Sequence, residues 1–536
     1  LPLQTPVQFV HNPIYERTNN IYSLYLAREA LLQEDTLLLE SDLIFSPEIL
    51  HTLLDNPYPN LTLVAKYESW MDGTVVTLGP KGKIQQFLSK TEFRFQDRDR
   101  YYKTVNIYKF SKSFSQTHYV PFLEAYIKAL GENEYYEQVL KVIALLDKPE
   151  LKAVEVTKGK WYEIDDVQDL DIAESIFVDD ERKWSKMNQR YGGFWRYPGL
   201  LDYCYLVNPY YPPRQLMDEL HANLDILVRQ YPSGLRVNNL LASKYFGVQA
   251  DRICVGNGAA ELINVIVSSL SGGFGVVCPT FEEYSNRYFN GPVVPFLVES
   301  PGFQYTAEDV IRFFQDKEIQ TLCIINPDNP SGNLIPWDGI VQLLEWTQNQ
   351  KIRLILDESF LDFSQPGLCP SLLDDGLLEQ YPHLIVVKSI SKSFGVPGLR
   401  LGIAASSDPS VMELLRKNVS IWNINSIGEF YLQIYEKYSK DYLYSLERLR
   451  EERDFLMEQL AQISYLKPFP SQANYLMCQV IGDMTSHRLS VLLLDRFEIL
   501  IKDLNGKRGI PGQYIRLAIR SHEENVRLIH AFREIE

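Results

Sequence analysis

Lys388-Ser389-Ile390-Ser391-Lys392-Ser393-Phe394-Gly395, closed shortly afterwards by Gly398-Leu399-Arg400-Leu401-Gly402, is the stretch whose reading decides the fold. The apolar run Leu384 to Val387 feeds it and reads as a buried strand entering a loop. A lysine between two serines at the mouth of such a strand is poorly placed for a solvated face. It is well placed as a nucleophilic amine, with hydroxyls and an arginine nearby to hold a phosphate. Taken alone it is as readily an ordinary surface lysine, so its surroundings decide.

Four further strand-like runs precede it. Arg252 to Val255 passes through Gly256-Asn257-Gly258 into a helix opened by Ala259-Ala260-Glu261. Such a turn offers free backbone N–H groups and the positive end of a helix dipole to a phosphate. Val276 to Cys278 ends in Pro279-Thr280-Phe281, with Tyr284 following. Thr321 to Ile325 ends in Asn326-Pro327-Asp328-Asn329-Pro330-Ser331-Gly332, and Arg353 to Leu356 ends in Asp357-Glu358. All five runs carry polar residues just past the carboxyl end, where open α/β sheets bind ligands.

Each of these residue types has a task in pyridoxal phosphate chemistry. Lys392 would condense with the cofactor aldehyde and later move a proton at the substrate α-carbon. Asp357 would pair with the pyridine nitrogen, Asn329 would donate to the phenolic oxygen, and Phe281 would stack on the ring. Ser389, Ser391, Arg400 and the N–H groups of Ala259 and Ala260 would hold the phosphate. In this order and spacing, G-N-G-A-A-E, N-P-D-N-P-S-G, D-E-S-F, S-x-S-K-S-F-G and G-L-R-L-G resemble the fold-type I aminotransferases of classes I and II. The resemblance runs from about Tyr191 to Glu536 and is nearest to histidinol-phosphate aminotransferase and threonine-phosphate decarboxylase. It implies a large α/β/α domain over about 231–404 and a small α+β domain from about 191–230 and 405–536. It also implies a homodimer with shared active sites, Tyr231 reaching the phosphate of the cofactor in the partner. One departure is Phe360, where the family usually has tyrosine, which leaves Asn329 as the main donor.

Toward the C-terminus, Leu443 to Leu460 reads as a long charged helix, and Gln513 to Arg520 as a strand with Arg516 and Arg520 on one face. Arg516 matches the family arginine that grips the substrate α-carboxylate through a bidentate fork. Arg520 is a candidate for a second anion, and Asn208, in Asn208-Pro209-Tyr210, for a further substrate contact. Two activities stay open. One is an aminotransferase working on a small amino compound, phosphorylated or not, with a keto acceptor. The other is a decarboxylase of an O-phospho amino acid of the phosphothreonine or phosphoserine type. Tyr191-Gly192-Gly193, Asn208-Pro209 and the run from Arg516 to Asn525 lean toward the decarboxylase branch. A non-catalytic scaffold would be expected to have lost Lys392 or Asp357.

Residues 1–175 form a separate expected α/β domain, and 176–536 the cofactor-dependent unit, with a polar, helical linker from Ala173 to about Trp195. In the first domain Thr18-Asn19-Asn20 with Ser23, Ser41-Asp42-x-x-Phe45, Trp70-Met71-Asp72-Gly73-Thr74, and Trp161-x-Glu163-x-Asp165 with Asp169 resemble sugar-phosphate and phosphocholine-type nucleotidyltransferases. An acid at a strand end joined by a later acid pair can hold magnesium against a triphosphate, although a turn aspartate and a charged strand edge read the same way. The Gly-rich phosphate loop of that family is absent before Leu1. The domain is therefore expected to be truncated and without nucleotidyltransferase activity.

At 536 residues the chain exceeds one ordinary core. A formal charge of -16 argues against nucleic-acid binding. The six cysteines are scattered without a C-x-x-C pair, and the few histidines form no metal constellation. No apolar run is long enough to span a membrane, and no signal peptide opens the chain at Leu1. A cytoplasmic protein with free buried thiols is the expectation.

Overall fold

The computed structural model describes residues 6–69, 71–88, 91–146, 151–197 and 199–536. Trp70 and the stretch Leu1 to Thr5 lie outside the described residues. The chain divides into two compact units, Leu1–Pro198 and Gly199–Glu536.

The first unit is built on a six-stranded sheet around the long strand Tyr101–Phe110, which pairs with Leu61–Lys66, Val75–Leu78 and Thr36–Leu39. Thr36–Leu39 and Leu61–Lys66 agree with the expected strands. The expected helical linker is built of two helices, Val167–Phe177 and Asp180–Gln189. Asp166 opens the first with a reciprocal capping box to Asp169, and Asp179 caps the second. They belong to the first unit, which is why the division falls after residue 175. Lys103 is fully buried, with Nζ 2.9 Å from Glu163 Oε2. Asn106, at φ +58°, donates from Nδ2 to both Glu40 Oε2 and Glu163 Oε1 at 2.8 Å. Glu163, one of the acids that the nucleotidyltransferase resemblance rests on, is therefore turned to Lys103 and Asn106.

In the second unit seven strands form one sheet: β1 (Ile253–Asn257), β2 (Phe274–Cys278), β3 (Val293–Leu297), β4 (Thr321–Ile325), β5 (Arg353–Asp357), β6 (Leu384–Ser389) and β7 (Leu401–Ala405). The order is β1-β7-β6-β5-β4-β2-β3. Strands β2, β4 and β6 are buried at every residue, so they read as continuous apolar runs with no alternation. Strand β7 is antiparallel to both neighbours, with Ser389 opposite Gly402. Its amino end therefore lies at the carboxyl edge of the parallel strands. That reversal is what carries Arg400 to the ligand edge, and neither β7 nor β3 was apparent from local pattern.

Helix α1 (Arg214–Arg229) precedes the sheet, α2 (Leu235–Phe246) packs on β1, and α3 (Gly258–Ser269) starts at the end of β1. Beyond the sheet come α4 (Ser439–Leu460) and a four-stranded sheet of β8 (Leu466–Pro468), β9 (Tyr475–Val480), β10 (Lys502–Asp503) and β11 (Tyr514–Ala518), in the order β8-β9-β11-β10. The expected strand through Arg520 stops at Ala518. Ser521 and Glu524 form a capping box that starts α5 (His522–Ile535), so the chain turns before Arg520 can continue the ladder.

Candidate active site

Lys392 sits in the first turn after β6, on the short helix Ile390–Ser393. Its Nζ lies 4.0 Å from the centroid of the Phe360 ring and 5.6 Å from that of Phe281. No protein group hydrogen-bonds this amine among the described residues. Burial pushes it down to about 8, a nearby Asp357 opposing the shift and Arg516 assisting it. A lysine held in this way is a nucleophile near neutral pH.

Asp357, 3 % exposed, ends β5. Tyr284 OH donates to its Oδ2 at 2.8 Å and the Ser359 N–H to its Oδ1 at 2.8 Å. Burial, reinforced by Asp357, pushes the Tyr284 phenol well up, so it remains a donor. Tyr284 was not assigned a role from sequence. Its signal was its place three residues after Phe281, on a helix too short for periodicity to show.

The phosphate end is built by α3 and the segment before β7. Gly258 adopts φ +71°, and a Cβ placed there would lie 2.6 Å from Arg400 Nη2. The guanidinium thus reaches across the glycine to the start of α3. Arg400 itself has φ +55°, sparsely populated for a non-glycine residue, and has no acid partner among the described residues. A Cβ on Gly402 would come within 2.3 Å of the Ala259 nitrogen, so only glycine allows α3 to begin against β7. Ala259 and Ala260 lie in that first turn.

Two serines behave differently. Ser389 is buried, its hydroxyl without a hydrogen-bond partner among the described residues, while its N–H donates to Ser359 Oγ at 2.9 Å. Ser391 Oγ accepts from the Leu401 N–H at 2.9 Å and donates to the Leu401 carbonyl at 3.2 Å. Its Oγ therefore stitches the Lys392 turn to that strand.

Arg516, on β11, donates from Nη1 to Asn329 Oδ1 and from Nη2 to the Cys204 carbonyl, both at 2.7 Å. That leaves Asn329 Nδ2 as the amide group able to donate elsewhere. Cross-strand pairing sets Lys502 directly opposite Arg516. Lys502 was missed because register is a property of two strands. The apolar run Ile499 to Ile501, bounded by Asn505-Gly506, was the available cue. Arg520 pairs instead with Glu524 at 2.8 Å and with the Asp202 carbonyl at 2.8 Å.

Asn208 is buried, its Nδ2 donating to the Ser393 carbonyl and to Ser445 Oγ, both at 2.9 Å. Its Oδ1 accepts from the Tyr210 N–H at 3.0 Å and its own N–H donates to the Lys392 carbonyl at 3.0 Å. In this position it braces the Lys392 turn. Tyr231 is 78 % exposed and stacks on Trp422 at 4.4 Å.

These residues fit pyridoxal phosphate. A partly buried amine without a partner, a fixed carboxylate, an open amide donor and a glycine-floored cradle under an unpaired arginine are the groups it requires.

The family model of aminotransferase class I and II matches residues 219–532. CMP-5'-(3-aminopropyl)phosphonate synthase of Streptomyces rubellomurinus is 29 % identical over 532 residues, 99 % of this chain and 83 % of that protein. L-serine phosphate decarboxylase of Sulfurospirillum multivorans is 30 % identical, covering 62 % of this chain and 88 % of its own. The solved structure of a decarboxylase from Sulfurospirillum multivorans superposes with a TM-score of 0.60 at 28 % identity, over 69 % of this chain and 98 % of that one. The match to more than half the chain places this protein in the aminotransferase class I and II family, with pyridoxal phosphate as its cofactor.

Proposed function

We propose that the second unit acts at the α-carbon of a small amino acid bearing a phosphate or phosphonate. The observation that supports this is the register that sets Lys502 directly opposite Arg516 on paired strands, so that two cationic residues share one face of the small sheet. A monoanionic amino acid needs one such group, whereas a carboxylate and a distal phosphate together employ both.

When bound, pyridoxal phosphate supplies an aldehyde and an electron-withdrawing ring that accepts charge from the α-carbon. Lys392 would hold it and would hold or return a proton at that carbon, its lowered basicity suiting it to either near neutral pH. Asp357, fixed by Tyr284 and Ser359, would keep the ring nitrogen protonated. Phe360 shields the amine from water, Phe281 would stack on the ring, and Arg400 with the N–H groups of α3 would hold the phosphate.

Transfer of the amino group to a keto acceptor is the first reading and fits the matched family. Loss of the α-carboxylate is a second, favoured by relatives named as phospho-amino-acid decarboxylases. It is also favoured by the aminopropyl group in the name of the Streptomyces relative, which has no carboxylate. Mass spectrometry after incubation with O-phospho-L-serine, O-phospho-L-threonine and 2-oxoglutarate separates them. A phosphorylated keto acid with glutamate marks transfer, and a phosphorylated amine with carbon dioxide marks decarboxylation. Faster turnover of unphosphorylated serine would overturn the phospho-substrate reading.

We also infer a homodimer in which Tyr231 serves the partner's cofactor. Its exposure beside Ile226, Val228, Ile421 and Trp422 supports this, since these apolar groups are open to solvent in one chain. Five buried free cysteines are in keeping with a reducing cytoplasm. Alignment with the Streptomyces relative runs through the first unit too, which supports its nucleotidyltransferase-like reading; we assign it no reaction.

A further inference from the structure

Behind the Lys392 turn lies a buried charged cluster that the chemistry above does not use. Lys388, 3 % exposed on β6, places Nζ 2.6 Å from Asp362 Oδ1. Tyr442 OH donates to Asp362 Oδ2 at 2.8 Å. Burial opposes the Asp362 charge, yet Lys388 and the hydrogen bonds hold its carboxyl below the usual carboxylate range. Burial likewise opposes the Lys388 charge, and Asp362 and Glu358 hold its ammonium above its ordinary range. Both groups are therefore ionised. A buried ion pair is weak evidence for stability, because well-packed apolar residues of similar size do as well or better. Its value lies in direction and distance.

The geometry shows what is being held. Asp362 closes the turn that runs from Asp357 past Phe360, the ring against the Lys392 amine. The same turn is gripped from α4. Arg450 donates to the Asp362 and Ser364 carbonyls at 3.2 and 2.9 Å, and Arg453 to the Phe363 carbonyl at 3.0 Å. Helix α4 also reaches the Lys392 turn. Tyr442 stacks on Phe394 at 4.0 Å and 4°, and Ser445 accepts from Asn208, which holds the Ser393 carbonyl. Tyr442 thus touches both turns, and Asp362 is the group its hydroxyl is aimed at.

We propose that Asp362 is a positioning residue which, through Lys388 and Tyr442, fixes the separation of the Asp357–Phe360 turn from the Lys392 turn. It touches neither cofactor nor substrate, and it sets where the Lys392 amine stands over Phe360. The inference rests on the cofactor assignment and not on the substrate reading, so its test uses no amino acid.

The test compares full-length, cofactor-loaded parent with the paired replacement Asp362→Leu with Lys388→Met. Three things are read: the thermal unfolding midpoint, the pH titration of the bound cofactor's visible absorbance, and the rate at which aminooxyacetate bleaches it. The pair should unfold near the parent's midpoint and bind cofactor. Its absorbance titration should shift, and its bleaching rate should fall by about tenfold to a hundredfold, the scale of a sub-ångström misplacement. Parent-like titration and bleaching would overturn the proposal. If the pair does not fold, Tyr442→Phe decides, since it removes one hydroxyl and keeps the stack on Phe394. A shifted titration with slower bleaching supports the proposal, and an unchanged spectrum and rate overturns it.

Discussion

At Lys392 the balance of burial against Asp357 decides reactivity. With its pKa lowered to about 8, the amine of the cofactor-free protein is mostly protonated below that pH and neutral above it. Only the neutral form attacks an aldehyde. Stopped-flow capture of pyridoxal phosphate should therefore accelerate with pH up to about 8 and level off beyond it. Continued acceleration toward pH 10 would show an amine with ordinary basicity. Asp357 supplies a second expectation. Tyr284→Phe removes one of its two hydrogen bonds while keeping the ring. A hydrogen bond to a charged group contributes ~1.5–3 kcal/mol, so turnover should fall roughly tenfold to a hundredfold. Steady-state kinetics on whichever phospho-amino acid proves productive measures this, and unchanged turnover would mean that Ser359 alone fixes the carboxylate. These residues differ in how far sequence shows them. Lys392, Asp357 and Asn329 lie in motifs whose chemistry is carried by identity and order. The task of Ser391 depends on which way a hydroxyl points, and β7, which it serves, carries no alternation that local pattern could show.

Among elements, the paired strands β10 and β11 carry the substrate argument. Strand alternation suggested Arg516 and Arg520 as a pair on one face. The capping box at Ser521 ends the strand first and gives Arg520 to Glu524, while cross-strand register brings Lys502 to Arg516. Local periodicity shows where a strand runs, but its neighbour is set by long-range pairing. Arg516→Ala should impair every substrate, because it also removes the group that orients Asn329. Lys502→Ala should weaken phosphorylated substrates selectively, by roughly tenfold or more in kcat/KM, the effect of a lost charge-assisted hydrogen bond. Arg520→Ala should leave that discrimination intact and lower the thermal midpoint, since it frees Glu524 from its partly buried partner. Competing phosphoserine against serine in all three variants gives the ratios. Selective loss in Arg520→Ala, with none in Lys502→Ala, would restore the arrangement expected from alternation.

For the whole molecule, composition and motif order place a cofactor-dependent unit in the C-terminal two-thirds, and the family match covers 219–532. The boundary was less legible, because a charged stretch such as Glu181 to Lys186 reads as linker or as the solvent face of a helix. Capping by Asp166 and Asp179 makes it the latter. A dimer leaves no local mark in sequence beyond Tyr231, and in a single chain that residue is an exposed ring stacked on Trp422. Exposure alone does not distinguish a tyrosine serving its own site from one serving its partner's. Hybrid dimers do. Chains carrying Lys392→Ala and chains carrying Tyr231→Ala should each be nearly inactive alone. If Tyr231 acts across the interface, a hybrid has one site with Lys392 from the second chain and Tyr231 from the first. Random mixing then puts half the dimers in the hybrid form, each with one intact site, and activity should recover to about a quarter of the parent's on two-state mixing. If Tyr231 acts within its own chain, no hybrid site is complete. Co-expressed, differently tagged chains isolated as hybrids should therefore be active. Inactive hybrids of correct dimeric mass would assign Tyr231 to its own subunit.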